Sequence, residues 1–337
     1  MTIDLSAYGW SDALPGGDGL LGRIVKVDRG ECDVVTANGR VRVLSDSQRA
    51  QDQMAPVTGD WVLLHDEPEL GLLISSVLPR SNSVSRRDPS EQVVEQVLVA
   101  NVDVVLIVHG LDRPLPPGRL ERFLVVGWDS GAEVAVVLTK ADKKGAPVDD
   151  VTATVGAVAP DVPVLVVGLA GRAQEGLEHV AAMVGPGRTV VLLGESGSGK
   201  STLVNALLGE EHLETGEVRS VDSKGRHTTV SRELVRLANG GLLVDTPGIR
   251  SVGIWDSEEA LERVFGDLEA LSATCRYSDC VHGPEPDCAV STAVANGQVD
   301  RRRVDRYVAL NVELEEQRQR EKERERRGHG EKRGRRR

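Results

Sequence analysis

The chain has 337 residues, 40% of them hydrophobic, and a formal charge of −11, which is enough length and apolar content for two or three packed domains. Its longest apolar runs, such as Val104–Val108, fall far short of the roughly 20 residues a bilayer span needs. The N-terminus carries neither a basic start nor an apolar stretch, so a cytoplasmic protein with no membrane part is expected. The charge is uneven: residues 300–337 hold fifteen Lys/Arg against nine Asp/Glu, a net of +6, leaving −17 on the rest. So acidic a body is a poor general binder of nucleic acid, while the basic end can meet phosphates or simply stay solvated.

Residues 1–18 read as a flexible N-terminus. Residues 19–80 show short alternating segments at 23–27, 33–36, 40–44, 61–64 and 72–77, with a hairpin signal at Ala37-Asn38-Gly39. Five strands in so short a span point to a small barrel, most economically an OB-fold. Cys32 reads as a small buried residue within it. Trp61 is nearly the only aromatic of the region, so any RNA contacts would go to backbone and shape and not to stacked bases. Arg80, Arg86 and Arg87 follow, either as phosphate contacts or as a plain linker.

Across residues 81–254 apolar strands alternate with amphipathic segments. Strands are expected at 102–108, 133–138, 162–167, 189–193 and 241–244, and helical stretches at 118–127, 174–184 and 200–208. Several strands are apolar almost throughout, as strands buried on both faces should be, so this is an α/β domain built on a parallel sheet.

Three strand ends carry chemistry. Gly194-Glu195-Ser196-Gly197-Ser198-Gly199-Lys200-Ser201 follows a strand and opens a helix with Thr202, the context a phosphate loop requires. Its glycines let backbone N–H groups wrap phosphates, Lys200 should bridge the β- and γ-phosphates, and the Ser201 hydroxyl should ligate Mg²⁺. Asp245-Thr246-Pro247-Gly248 ends a later strand, with Asp245 placed to hold Mg²⁺ and the Gly248 N–H to meet the γ-phosphate. Thr139-Lys140-Ala141-Asp142 ends an earlier one. A carboxylate at Asp142 can accept two hydrogen bonds from guanine N1–H and its 2-amino group, a pair adenine lacks, so GTP and GDP are the expected nucleotides. The Lys140 stem would pack on the base. Thr139 stands where this motif usually has Asn. Gly168-Leu169-Ala170 occupies the place of a Ser-Ala pair whose backbone would touch the guanine oxygen, so Gly168 and Leu169 are carried as further contacts.

The order of these motifs is unusual. In an ordinary small GTPase the base-reading motif comes last, whereas here it precedes the other two.

From 255 to 315 the chain turns helical and irregular around Cys275-x4-Cys280-x-His282-x5-Cys288, and 316–337 is a charged tail. Three thiolates and one imidazole fill a tetrahedral zinc shell with no open position, so a structural Zn²⁺ is expected. The alternative is a set of reduced cysteines packed in a helical domain.

The permuted order, Lys224-Gly225-Arg226-His227-Thr228-Thr229 before Asp245, and the cysteine–histidine cluster together resemble the RsgA (YjeQ) family, circularly permuted GTPases that act in maturation of the small ribosomal subunit. The resemblance covers nearly the whole chain, from the barrel-like region through Asn101-Val102-Asp103 to the cysteines. It implies an N-terminal OB-fold, a permuted P-loop GTPase domain and a C-terminal helical zinc domain. It further implies hydrolysis of GTP stimulated by the small subunit, contacts with ribosomal RNA and proteins, and a monomer. In that family the Gly-Arg-His-Thr-Thr stretch is the first switch. Thr228 or Thr229 would complete the Mg²⁺ shell, with Thr229 preferred, and His227 would position or deprotonate the attacking water, or else contact RNA. Ile249 follows Gly248 where a water-orienting side chain would help, so intrinsic turnover should be slow. The second switch runs directly into the zinc domain, so loss of the γ-phosphate would act on that domain. The competing readings are an RNA-binding scaffold in which nucleotide is mainly structural, and a zinc-stabilised ATP-using enzyme, which Asp142 disfavours.

Overall fold

The computed structural model describes residues 2–11, 19–28, 30–44, 55–68, 71–87, 95–169, 175–209, 233–245, 258–283 and 285–334. The chain divides into two compact units. The first takes in residues 1–85, 97–115 and 130–251, and the second residues 86–96, 116–129 and 252–337.

The first unit opens with a 3-10 turn, Leu5–Tyr8, whose start is capped by Asp4 accepting from the Ser6 N–H. Leu20–Val27 (β1), Glu31–Thr36 (β2), Gly39–Leu44 (β3), Trp61–Glu67 (β4) and Gly71–Val77 (β5) follow. They pair in the order β1-β2-β3-β5-β4 and close through β1–β4, the Greek-key barrel expected of an OB-fold. Alternate residues point inward. Ile24, Cys32, Val34, Val43, Val62, Leu64, Ile74 and Val77 form one buried cluster, and Cys32 is one of the small buried residues the sequence implied. Trp61 sits on a second cluster with Leu63 and Leu78, against which Leu5, Tyr8 and Trp10 pack. The Trp10 and Trp61 rings meet edge to face at 4.9 Å.

Ser83–Arg87 (β6) and Glu95–Ala100 (β7) pair as a ribbon. The α/β part then contributes Val104–Gly110 (β8), Glu133–Thr139 (β9), Val164–Val166 (β10), Thr189–Leu193 (β11), Glu233–Arg236 (β12) and Leu242–Asp245 (β13). Strands β10-β9-β8-β11-β13 are parallel. Strand β12 departs from the all-parallel expectation: it is an antiparallel hairpin partner of β13 and also pairs with β1, Lys26 opposite Glu233. One eleven-stranded sheet therefore runs from the nucleotide-type strands into the barrel. Below it lie Leu177–Val184 (α3) and Lys200–Leu208 (α4), whose Val180, Val184, Leu203, Val204 and Leu207 are buried with Val104, Leu106 and Val108 of β8. Val148–Val158 (α2) precedes β10.

The second unit is helical: Pro117–Asp129 (α1), Glu258–Ser272 (α5), Ala289–Ala295 (α6) and Arg301–Gly334 (α7). Val304, Tyr307, Leu310 and Leu314 form a buried stripe on α7 at helical spacing. Glu121 of α1 is 1% exposed and is paired with Arg303, at 2.8 Å, and with Arg306. No helix among the described residues is long and apolar enough to cross a membrane.

Arg23 of β1 is only 2% exposed, yet all three of its guanidinium nitrogens donate hydrogen bonds. It donates to the carbonyls of Tyr8, Gly59 (3.3 Å) and Asn101 (3.1 Å) and to Thr189 Oγ1 at the start of β11 (2.9 Å), and it stacks on Trp61 at 5.3 Å. Burial pushes its pKa down to about 10, partly opposed by the charges of Asp103 and Asp60, so it stays protonated at neutral pH. Leaving a buried acceptor without its donor typically costs about 1–3 kcal/mol. Arg23→Met should therefore lower unfolding stability by about 3 kcal/mol in urea titrations; an unchanged midpoint would contradict the role given to this residue.

Candidate nucleotide site and metal centre

In a parallel sheet every strand ends on the same edge, and here that edge collects the motifs. Strand β8 is central; β9 and β10 lie to one side, and β11 and β13 to the other. The phosphate loop after β11 thus opens at the point where the winding reverses, where such sheets bind ligands. Beside it lie the ends of β8 (His109–Arg113), β9 (Thr139–Asp142) and β13 (Asp245). The motifs, separated along the chain, thus gather at one edge of the sheet.

The loop Gly194–Lys200 is held closely. A side chain at Gly194, whose φ is +146°, would run into the Val108 carbonyl, and one at Gly199 (φ +96°) would put its Cβ 2.7 Å from Thr139 Oγ1. Gly199 precedes α4, so Lys200, Ser201 and Thr202 form its first turn, with Ser201 and Thr202 exposed. The first-turn N–H groups of a helix carry positive character suited to an anion. Lys200 Nζ is folded back on the carbonyls of Gly194 (2.7 Å) and Glu195 (2.5 Å).

The base-reading motif divides its work. Thr139 is 1% exposed and its hydroxyl donates to the Ser198 carbonyl at 2.5 Å, so it faces the phosphate loop and not a base. Lys140, at φ +64°, reaches Gly197 O and Asp112 Oδ2, both at 2.6 Å. Asp142 is exposed and accepts from the Leu169 N–H at 3.0 Å. Gly168 lies against Asp142, close enough that a Cβ there would be 3.3 Å away. Asp142, Gly168 and Leu169 are therefore together. The sequence missed Asp112 and Arg113, which carry no motif of their own; only the Lys140 bond and the loop contacts reveal them.

Asp245 ends β13, its backbone opposite Glu233. His227, Thr228, Thr229, Gly248 and Ile249 lie outside the described residues.

The metal ligands expected in the second unit come together. The ligand atoms of Cys275, Cys280, His282 and Cys288 lie within 4.8 Å of one another. Cys275 and Cys288 sulfurs are 3.9 Å apart, and His282 Nδ1 is 3.7 and 3.8 Å from them. Tetrahedral zinc with bonds of about 2.3 Å to sulfur and about 2.0 Å to nitrogen has edges of about 3.6–3.8 Å, so the donor set fits such an ion. His282 turns its Nε2 to Ser272 Oγ at 2.9 Å, which orients Nδ1 toward the sulfurs. Burial pushes the Cys288 thiol up, but bonds from Ser291, His282 and Cys280 outweigh it and bring it down to about 6.

Comparison with known proteins decides the family. The RsgA GTPase family matches residues 77–255. The chain is 44% identical over 313 residues to the small ribosomal subunit biogenesis GTPase RsgA of Streptomyces avermitilis, covering 90% of this chain and 84% of that protein. It is 38% identical over 296 residues to the protein of the same name from Methanosarcina acetivorans, with coverages of 88% and 79%.

The chain belongs to the RsgA GTPase family.

Two solved structures share the fold at 24% identity and cover 88% of this chain. They are YjeQ from Thermotoga maritima, with a TM-score of 0.63 over 98% of its length, and the circularly permuted GTPase YloQ, with 0.59 over 95%. RsgA-type architecture thus accounts for the barrel and the permuted order.

Two measurements check this site. Purified protein should carry one zinc per chain by elemental analysis, and Cys275→Ser should abolish it, whereas metal-free wild type in reducing buffer would refute the ligand set. The Lys140 hydrogen bond, helped by its charge and those of Arg113 and Lys143, lowers the Asp112 carboxyl from 3.8 to about 2. The stability it lends is present above about pH 4 and fades as the pH falls through about 2. Carboxyl NMR titration should find that depressed value and see it return toward 3.8 in Lys140→Met.

Proposed function

We propose that this protein hydrolyses GTP to GDP and phosphate during late maturation of the small ribosomal subunit, and that the subunit stimulates the reaction. The observation that carries this reading is the convergence of Asp142 and the phosphate loop on one sheet edge. Its context is a chain similar along nine-tenths of its length to proteins named for small-subunit biogenesis.

Asp142 accepts the guanine N1–H and 2-amino hydrogens, the Lys140 stem packs on the base, and the backbone of Gly168 and Leu169 borders it. The backbone from Gly194 to Thr202, including Glu195, Ser196, Gly197, Ser198 and Gly199, wraps the phosphates. Lys200 exchanges its contacts with the Gly194 and Glu195 carbonyls for β- and γ-phosphate oxygens. The Ser201 and Thr229 hydroxyls and Asp245 would hold Mg²⁺, which when bound would neutralise charge on the β- and γ-phosphates. Gly248 senses the γ-phosphate, and His227 positions or deprotonates the attacking water once the subunit orders the first switch. The zinc centre serves structure and leaves no coordination position for catalysis. The protein works as a cytoplasmic monomer on ribosomal RNA and proteins.

Turnover measured with small subunits, with large subunits and with neither should rise only with the small subunit; equal rates in all three would sink the ribosomal role. His227→Ala should lose about 100-fold or more of that stimulation, and unchanged stimulation would reassign His227 to RNA contact. Asp142→Asn should weaken GDP binding by at least about 100-fold while leaving the weak ADP binding unchanged.

A further inference from the structure

The end of β8 and the turn after it, His109 to Arg113, belong to none of the motifs that define the nucleotide site, yet their side chains act on the phosphate loop. Arg113 Nη1 donates to the Ser196 carbonyl at 3.0 Å and Nη2 to the Gly197 carbonyl at 3.3 Å. Its Nε lies 3.5 Å from Asp112, the same carboxylate that grips Lys140. The turn itself is held from beneath, where the buried His109 ring donates through Nε2 to the Arg113 carbonyl at 3.1 Å. With Lys140 on Gly197 O and Thr139 on Ser198 O, three consecutive loop carbonyls are held by donors from the ends of β8 and β9.

Peptide geometry gives this clamp a direction. In a planar trans peptide the carbonyl of one residue and the N–H of the next point to opposite sides. Drawing the carbonyls of Ser196, Gly197 and Ser198 toward Arg113, Lys140 and Thr139 therefore turns the N–H groups of Gly197, Ser198 and Gly199 the other way. Of these, the Ser198 N–H makes a 3.3 Å turn contact with Glu195 O. Successive N–H groups turned to one side form an anion-binding nest. Arranging them before the ligand arrives removes the ordering term from binding.

We propose that Arg113, steadied by Asp112, is a positioning residue that presets the phosphate loop for the β-phosphate of a guanine nucleotide. Arg113 acts on loop carbonyls and touches no reacting atom. The inference rests on the guanine-nucleotide reading given above, and it adds a second support to the loop in a stretch of chain that the motif pattern passes over.

The test compares GDP with GMP, which shares the base and ribose but has no β-phosphate. Binding of both, and of ADP, is measured by calorimetry for wild type, Arg113→Ala and Arg113→Lys, with thermal melts alongside. Arg113→Ala should weaken GDP about tenfold and leave GMP within about twofold, and Arg113→Lys, which keeps one donor, should recover part of the loss. GDP unchanged in Arg113→Ala would overturn the proposal, as would an equal loss for GDP and GMP, since that marks a general structural defect. A wild type that does not prefer GDP to ADP would instead sink the underlying reading, so the two failures are distinguishable.

Discussion

The guanidinium of Arg23 joins the N-terminal turn, the barrel and the α/β strands of the first unit at one buried point. It satisfies carbonyls from the N-terminal turn, from the β-barrel and from the segment entering β8, and it bonds Thr189 where the phosphate-loop strand begins. A charge so buried persists only when its donors are used, so the surrounding backbone is fixed as tightly as the side chain. Asp103 reinforces the same place, its carboxylate accepting from the Thr189 N–H at 2.6 Å. The entry of β11, and with it the aim of the phosphate loop, is thereby tied to the barrel.

From that fixed entry the chemistry develops at the opposite end of the strands. A parallel sheet delivers all its loops to one edge, so a GTPase can be cut and rejoined elsewhere without scattering its site. What the permutation changes is connectivity. The base-reading loop precedes the phosphate loop, and Asp245 is followed in the chain by α5 and the cysteine cluster. Strand β12 adds a link of a different kind. It pairs with both β13 and β1, so β13 is joined through it to the barrel sheet.

The second unit solves a different problem, that of holding an irregular segment with little core of its own. Four ligand atoms within 4.8 Å supply one fixed point. Glu121 between Arg303 and Arg306 supplies another, a buried carboxylate that would be costly alone and is kept by two cations. Phe265, fully buried at a kink in α5, packs against Tyr307 with Arg303 over its ring.

The sequence by itself determined which chemistry is expected, because that information is local. Gly194 to Ser201, Asp142, Asp245 and the Cys275–Cys288 ligand spacing point to phosphate, base and metal sites through residue type at short separation. The five barrel strands were legible from their alternation, and the buried strands from their apolar runs. Tertiary structure alone decided what depends on partners far apart in the chain. Arg23 looked like any strand arginine until Thr189 was found beside it, and the helical stretch at 118–127 gave no sign that Glu121 would pair with Arg303 and Arg306. Strand β12 has only four residues, too few for a period to show. Thr139 gave the clearest change of meaning. As a letter it was a departure from a base-reading motif, but in the fold its hydroxyl is spent on the Ser198 carbonyl. A side chain's hydrogen-bond partner is set by packing across the sheet, and residue order does not encode it directly.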